Sequence, residues 1–127
     1  MRLQALAEQV NEGPCWPAGW RWQDGLPELD WQPWLAPLQD ACVDPALRAW
    51  AFHDALARAI AMLPERLGLP ETTPLGLTGG VFQNRLLVSR IAARTPNRPV
   101  YLPQRIPPND GGLAFGQLVE ATALHDA

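Results

Sequence analysis

Apolar residues recur at helical spacing through the middle of the chain. Phe52, Leu56, Ile60, Leu63 and Leu67 predict one apolar helix face. Asp44 before Pro45 predicts where that helix starts, because a carboxylate at the N-cap takes a free N–H and proline suits the first helical position. Gly68 and Pro70 predict its stop, and Pro64 either ends it earlier or kinks it. Next, Pro74-Leu75-Gly76-Leu77-Thr78 predicts a short strand that runs into Gly79-Gly80. A helix over about 82–93 follows, with Leu86, Leu87 and Ile91 on its buried side. Pro99-Val100-Tyr101-Leu102 predicts a second strand, and a last helix covers about 112–124. This order of helix, strand, helix, strand, helix predicts an α/β architecture with a parallel strand pair joined by a right-handed crossover.

The first 46 residues are different in kind. They hold five of the six tryptophans, Trp16, Trp20, Trp22, Trp31 and Trp34, along with Pro14, Pro17, Pro27, Pro33, Pro37 and Pro45. Proline at this density breaks long helices and central strands. The expectation is a Trp/Pro-rich irregular segment over 1–46 packed on a lobe over 47–127. Within it a short N-terminal helix comes first, then one brief strand near Trp20–Trp22, then a short helix over Trp31–Gln39 capped by Asp30 with Pro33 in its first turn. The tryptophans either plug the edge of a core, cover a face that meets another domain, or form an aromatic surface for carbohydrate or peptide.

Composition narrows the chemistry. Apolar residues make up 47% of the 127, enough for a packed core, and the net charge is only −3. The ten cations are scattered arginines with no basic stripe, which argues against a nucleic-acid partner. The sequence has no lysine, which excludes a P-loop, Schiff-base chemistry and a Ser–Lys pair. Any nucleotide must then be held by backbone amides, helix ends and arginine. Cys15 and Cys42 form no CxxC and fit ordinary free thiols in a reducing compartment. No apolar run approaches the ~20 residues that span a bilayer. The start has no apolar stretch of the signal-peptide kind, so a cytoplasmic protein without membrane association is expected.

Two glycine turns carry the candidate chemistry. In Thr78-Gly79-Gly80-Val81-Phe82-Gln83-Asn84-Arg85 the glycines stand where a strand gives way to a helix. Lacking Cβ, they admit positive φ and close approach of a ligand to the backbone. The unpaired N–H groups of the following helix start suit an anion or the polar atoms of a nucleotide. Asn84, read as one turn into that helix, offers donor and acceptor groups for ribose or adenine. The plainer reading is a turn needed only for tight packing. In Pro107-Pro108-Asn109-Asp110-Gly111-Gly112 a stiff entry and a flexible exit display Asp110, which could cap the last helix, bind a divalent metal or orient a water. If both turns lie at the C-terminal ends of neighbouring parallel strands, they open on one crevice.

Other residues give less. His53 beside Phe52 fits a packed or solvated side chain better than a ligand, and His125 lies at a frayed end. Ser89 has no histidine near it in sequence. A solvated helix face accounts for Arg85, Arg90, Arg94 and Arg98, although Arg85 could reach a phosphate. The catalytic residue is left unassigned.

The pair of motifs, Leu77 to Leu87 followed by Pro107 to Gln117, resembles the end of the HypF carbamoyltransferase family. Ala51-Phe52-His53-Asp54-Ala55-Leu56-Ala57 resembles the helix before the first motif, and the Trp-rich start is similar to the family's more variable segment. The resemblance implies the second lobe of an actin-like, ribonuclease-H-like ATPase (ASKHA-type) domain, three-layered, with a short mostly parallel sheet and flanking helices. It implies an enzyme family that takes the carbamoyl group from carbamoyl phosphate, uses ATP to form a carbamoyl-adenylate and passes the carbamoyl group to a C-terminal cysteine of its partner HypE, toward the cyanide ligands of [NiFe]-hydrogenase. Gly79, Gly80 and Asn84 match the motif that holds adenosine, and Asp110 matches a metal ligand. A zinc, iron or magnesium ion would need histidines from a first lobe. That lobe and the family's acylphosphatase, zinc-finger and YrdC-like domains are absent from this sequence, so half of a two-lobed active site is expected. The complement would be a first lobe, a HypE-like partner or a second copy. Two other readings stay open: a non-catalytic assembly or binding module, and a truncated relic of the domain.

Overall fold

A computed structural model of the chain describes residues 2–104, 106, 109 and 111–125. Its centre is helix α3, Pro45–Arg66, which packs against the first helix, the N-terminal strands and the helix that follows the glycine turn. Asp44 Oδ1 accepts from the Ala46 N–H at 2.7 Å, with Pro45 at the first helical position. At the other end the Leu69 N–H donates to the Pro64 carbonyl and the Gly68 N–H to the Glu65 carbonyl, with Gly68 at φ 68°. That pair of bonds is a Schellman stop, which needs a left-handed residue and finds glycine. Pro64 therefore sits inside the last turn, and the helix runs on to Arg66.

The predicted apolar face is corrected by the packing. Phe52, Leu56, Ile60 and Leu63 are half-buried and Leu67 is exposed, whereas Ala46, Ala49, Ala51, Ala55, Ala57 and Ala59 are buried. Neighbours close on α3 from several sides, and small side chains let those backbones approach. One cluster joins Trp16 and Trp34 to Ala51, Ala55 and Ala59. A second joins Ala57 to Leu77, Leu87 and Ile91, and Leu56 touches both.

The N-terminal part is more regular than its prolines suggest. After α1 (Arg2–Ala7), which packs on α3, strands β1 (Gly19–Gln23) and β2 (Leu26–Asp30) form an antiparallel hairpin with Gly19 opposite Asp30 and Gln23 opposite Leu26. Sequence reasoning expected only the first strand. The turn is Asp24-Gly25, at φ 52° and 80°, the two-residue geometry that matches strand twist. Pro27 stands opposite Trp22, one pair beyond the hydrogen-bonded pair at the turn, so its missing N–H interrupts no bond between the strands. Asp30 Oδ1 accepts from the Gln32 N–H at 3.2 Å. The helix expected there divides into a 3₁₀ turn (Gln32–Trp34) and α2 (Leu35–Gln39). Trp34 is buried against Phe52 edge to face, and its indole N–H donates to the Pro17 carbonyl at 2.8 Å. Trp22 and Trp31 stay exposed, as do Cys15 and Cys42, which are free thiols.

Beyond α3, strands β3 (Leu75–Gly76) and β4 (Val100–Tyr101) pair in parallel, Leu75 opposite Val100 and Gly76 opposite Tyr101. Between them come a 3₁₀ turn (Gly80–Gln83) and α4 (Arg85–Arg94), and α5 (Gly111–His125) is the last element among the described residues. The strands are shorter than predicted because Pro74 and Pro99 at their entries have no N–H to give, while the Gly79 turn and Pro103 follow closely. The result is an α/β chain with two small sheets among helices.

Candidate nucleotide site

The site is built at the carboxyl end of β3. Leu77 is buried and its N–H donates to the Tyr101 carbonyl at 2.9 Å, which ties the exit of β3 to β4. Two residues on, Gly79 adopts φ 109°, ψ 158°, a region open essentially to glycine alone. Its carbonyl accepts from the Phe82 N–H at 3.1 Å, closing the 3₁₀ turn. A Cβ added at Gly79 or Gly80 would meet nothing within 4 Å, so the backbone is bare on that side. A shallow depression of about 220 Å³ lies against it, lined by Gln4 from α1 and by Gly80, Val81, Gln83 and Asn84.

Asn84 is not one turn into a helix, as its sequence position predicted. The glycine turn winds as 3₁₀, so the α-helix starts only at Arg85 and Asn84 is its N-cap, at φ −75°, ψ 101°. Its Oδ1 accepts from the Leu87 N–H at 3.0 Å. Its Nδ2 lies 2.7 Å from His53 Nε2, and His53 Nδ1 donates to the Ala49 carbonyl at 2.8 Å. Both ends of the amide are thus engaged within the chain, leaving one N–H and one lone pair for a ligand.

His53 is 3% exposed, which confirms a packed role for it. Burial pushes its pKa below the ordinary 6.5. The hydrogen bond donated to the Ala49 carbonyl and the charge of Glu8 work upward, and the positive charge of Arg90 works downward. Its link to Asn84 was not legible in sequence.

The next residue, Asp54, corrects the reading of the arginines. Arg90 and Arg94 do not form a solvated face. They converge with Arg58 on the carboxylate of Asp54, which is 1% exposed. Arg90 Nη1 stands 3.3 Å from Oδ1 and Arg58 Nη2 stands 3.1 Å from Oδ2. The Arg90 guanidinium also lies 4.5 Å over the Trp50 ring, and burial lowers its pKa against the pull of Asp54. Arg98 donates to the Thr73 carbonyl. Arg85 is exposed beside the turn. Ser89 only donates to the Leu86 carbonyl. An aspartate within an otherwise alanine-lined helix face, with arginines four apart on a later helix, was the signal available.

Because β3 and β4 are parallel neighbours, the chain leaves both at the same end of their sheet. The second glycine turn follows β4 only in sequence, and its Pro107 and Pro108 lie outside the described residues. Asp110 itself lies outside the described residues. Asn109 Oδ1 accepts from the Gly111 N–H at 3.1 Å at the start of the last helix. Among the described residues there is no group of three or more His, Cys, Asp or Glu side chains placed to hold a metal. Among the same residues no helix is long and apolar enough to cross a membrane.

Residues 1–117 match a family model described as "Carbamoyltransferase, Kae1-like Domain, second subdomain". The chain is 37% identical to carbamoyltransferase HypF of Rhodobacter capsulatus over 97% of its own length. It belongs to the HypF carbamoyltransferase family. A second HypF, from Synechocystis sp. (strain ATCC 27184 / PCC 6803 / Kazusa), is 33% identical over 72% of the chain. The chain spans 16% and 12% of the lengths of these two relatives. The HypF match runs through both the Trp-rich part and the two glycine turns, and the α/β fold with small sheets suits a Kae1-like domain.

Proposed function

We propose that this chain supplies the nucleotide-facing half of a HypF-type carbamoyltransferase site, as the second lobe of an actin-like, ASKHA-type domain. The observation that carries the reading is the bare backbone at Gly79 and Gly80, at the carboxyl end of a strand whose parallel neighbour is followed in sequence by the second glycine turn. The N–H groups of Gly80 and Val81 precede the first internal bond of the 3₁₀ turn and are suited to the polar atoms of a nucleotide. Gly79 and Gly80 let the ligand approach, and Asn84 holds the turn and offers its remaining amide valences. Carbamoyl-adenylate, made from carbamoyl phosphate with ATP, would supply the activated carbamoyl group when bound and leave AMP on transfer. Asp110 would give one carboxylate to a divalent ion, zinc, iron or magnesium, only together with histidines from a first lobe. Passage of the carbamoyl group to a HypE-like acceptor, for the cyanide ligands of [NiFe]-hydrogenase, belongs to the assembled enzyme. Calorimetry of the chain with ATP and AMP tests the reading. Heat of binding is expected, and its absence at millimolar nucleotide from a folded protein overturns it.

A second reading, an assembly module in which the chain docks on a first lobe, a HypE-like protein or another copy, is favoured by the apolar surface left open. Trp22, Leu26 and Trp31 are more than half exposed, and an apolar groove of about 240 Å³ runs between Leu29, Trp31, Trp34 and Leu38. Light scattering on the isolated chain and on mixtures with these proteins separates the two: a clean monomer that joins none of them rejects the assembly reading.

A further inference from the structure

We infer that His53 is the positioning residue of the glycine turn, its unprotonated Nε2 holding the Asn84 amide in the orientation that caps α4 and sets the backbone from Gly79 to Val81. The inference deepens the nucleotide reading and rests on it for the ligand, but the geometry of the relay stands by itself.

The polarity of the relay is determined from both ends. The Ala49 carbonyl can only accept, so Nδ1, 2.8 Å away, carries the imidazole proton. The Leu87 N–H can only donate, so the amide atom facing it is Oδ1. That leaves Nδ2 pointing at Nε2 over 2.7 Å. An amide nitrogen has only protons to give, so Nε2 must present a bare lone pair.

The consequence reaches the turn through the backbone. The Asn84 N–H donates to the Val81 carbonyl at 3.1 Å and the Phe82 N–H donates to the Gly79 carbonyl, so Asn84 and the glycines belong to one hydrogen-bonded unit. Protonating His53 would set an N–H against the N–H groups of Nδ2. Flipping the amide would relieve that contact but set Nδ2 against the Leu87 N–H. Either way one bond of the relay is lost. The charged groups that act on His53 are Arg90 from α4, Glu8 just past α1, and the chain's α-amino group. Arg90 is already tied to Asp54, the residue next to His53 on α3. Two consecutive residues of α3 thus pin α4 at two levels, His53 at its cap and Asp54 at its middle. A change at His53 is therefore local to the turn.

The test uses the whole 127-residue chain, labelled with ¹⁵N, as wild type, His53→Gln and His53→Leu. Glutamine can place a carbonyl oxygen near the Nε2 position, and leucine offers similar bulk with no acceptor. Long-range ¹H–¹⁵N spectra of the wild type are expected to show Nδ1–H with an unprotonated Nε2. The Gly79 and Gly80 amide signals should move in the leucine variant and return toward wild type in the glutamine variant. With AMP as the probe, the leucine variant should bind about tenfold more weakly, the scale of one lost hydrogen bond, and the glutamine variant should recover that loss. Lowering the pH from about 7.5 to about 5.5, across the ordinary histidine range, should weaken AMP binding by wild type more than by the glutamine variant. A proton on Nε2 at neutral pH, or glycine signals indifferent to His53→Leu, overturns the inference. Should the leucine variant fail to fold, the wild-type tautomer and the glutamine variant still decide. The expected spectra together with no AMP binding by wild type would uphold the positioning role and overturn the nucleotide reading.

Discussion

Replacing Gly79 and Gly80 one at a time separates two reasons for a glycine pair. Gly79 stands at φ 109°, ψ 158°, where a side chain strains the backbone by about 1–3 kcal/mol. An added Cβ meets nothing within 4 Å, so no collision contributes and the cost is conformational alone. Gly80 opens the 3₁₀ turn without a positive φ, and its Cβ would also enter open space. There alanine strains nothing and restricts the unfolded chain, a gain of about 0.4–1 kcal/mol. Gly79→Ala is therefore expected to lower the stability read by urea melts by about 2 kcal/mol, within the strain range above, while Gly80→Ala holds or raises it. The order reverses in meaning for the ligand. If a nucleotide binds as proposed, the Gly80→Ala methyl would project into its space, and displacing a close-fitting group costs about 1–3 kcal/mol, roughly tenfold or more in AMP affinity. A Gly79→Ala protein as stable as wild type would refute the backbone argument. A Gly80→Ala protein that binds AMP as tightly as wild type would show that the ligand does not approach there.

Three further outcomes follow from the packing. Asp54→Ala leaves Arg90, Arg94 and Arg58 facing one another without their shared carboxylate, and should lower stability by about 3 kcal/mol, the low end for breaking a buried pair since Arg58 and Arg94 can turn to water; a urea-melt loss near that of an ordinary surface substitution would contradict this. Gly13→Ala would bring a Cβ within 2.8 Å of the Trp50 ring, which carries Arg90 at 4.5 Å, so overpacking should cost about 1–3 kcal/mol in the same assay, and no loss would show that the ring is not held there. The depressed pKa of His53 makes stability depend on acid: as pH falls below 6.5 the unfolded chain takes up a proton that the folded chain refuses, so stability drops until the folded pKa is passed, and above neutrality this group adds nothing. Urea midpoints measured from pH 7.5 down to 5.5, about the span of an ordinary histidine titration, should fall more for wild type than for His53→Gln; parallel curves would count against it.

Local chemistry was readable along the chain. The start and stop of α3 follow from Asp44-Pro45 and from Gly68, because caps and left-handed stops depend on neighbours a few residues away. The glycine turn between strand and helix, the parallel pair and the motifs that resemble the HypF family were legible for the same reason: each is a short run with a definite backbone need. The second strand of the hairpin was hidden by Pro27, whose harmlessness depends on which side of β2 its missing N–H would face.

Packing decided the rest. Which face of α3 is buried depended on how closely α1, α4 and the hairpin surround it, and alanine rather than leucine marks the contact. His53 meets Asn84 across 31 residues, and Asp54 meets Arg90 and Arg94 across 36 and 40. Hydrogen bonds and ion pairs of that kind have no sequence period. They exist because two helices come within side-chain reach at one rotation, and only the folded core sets that rotation.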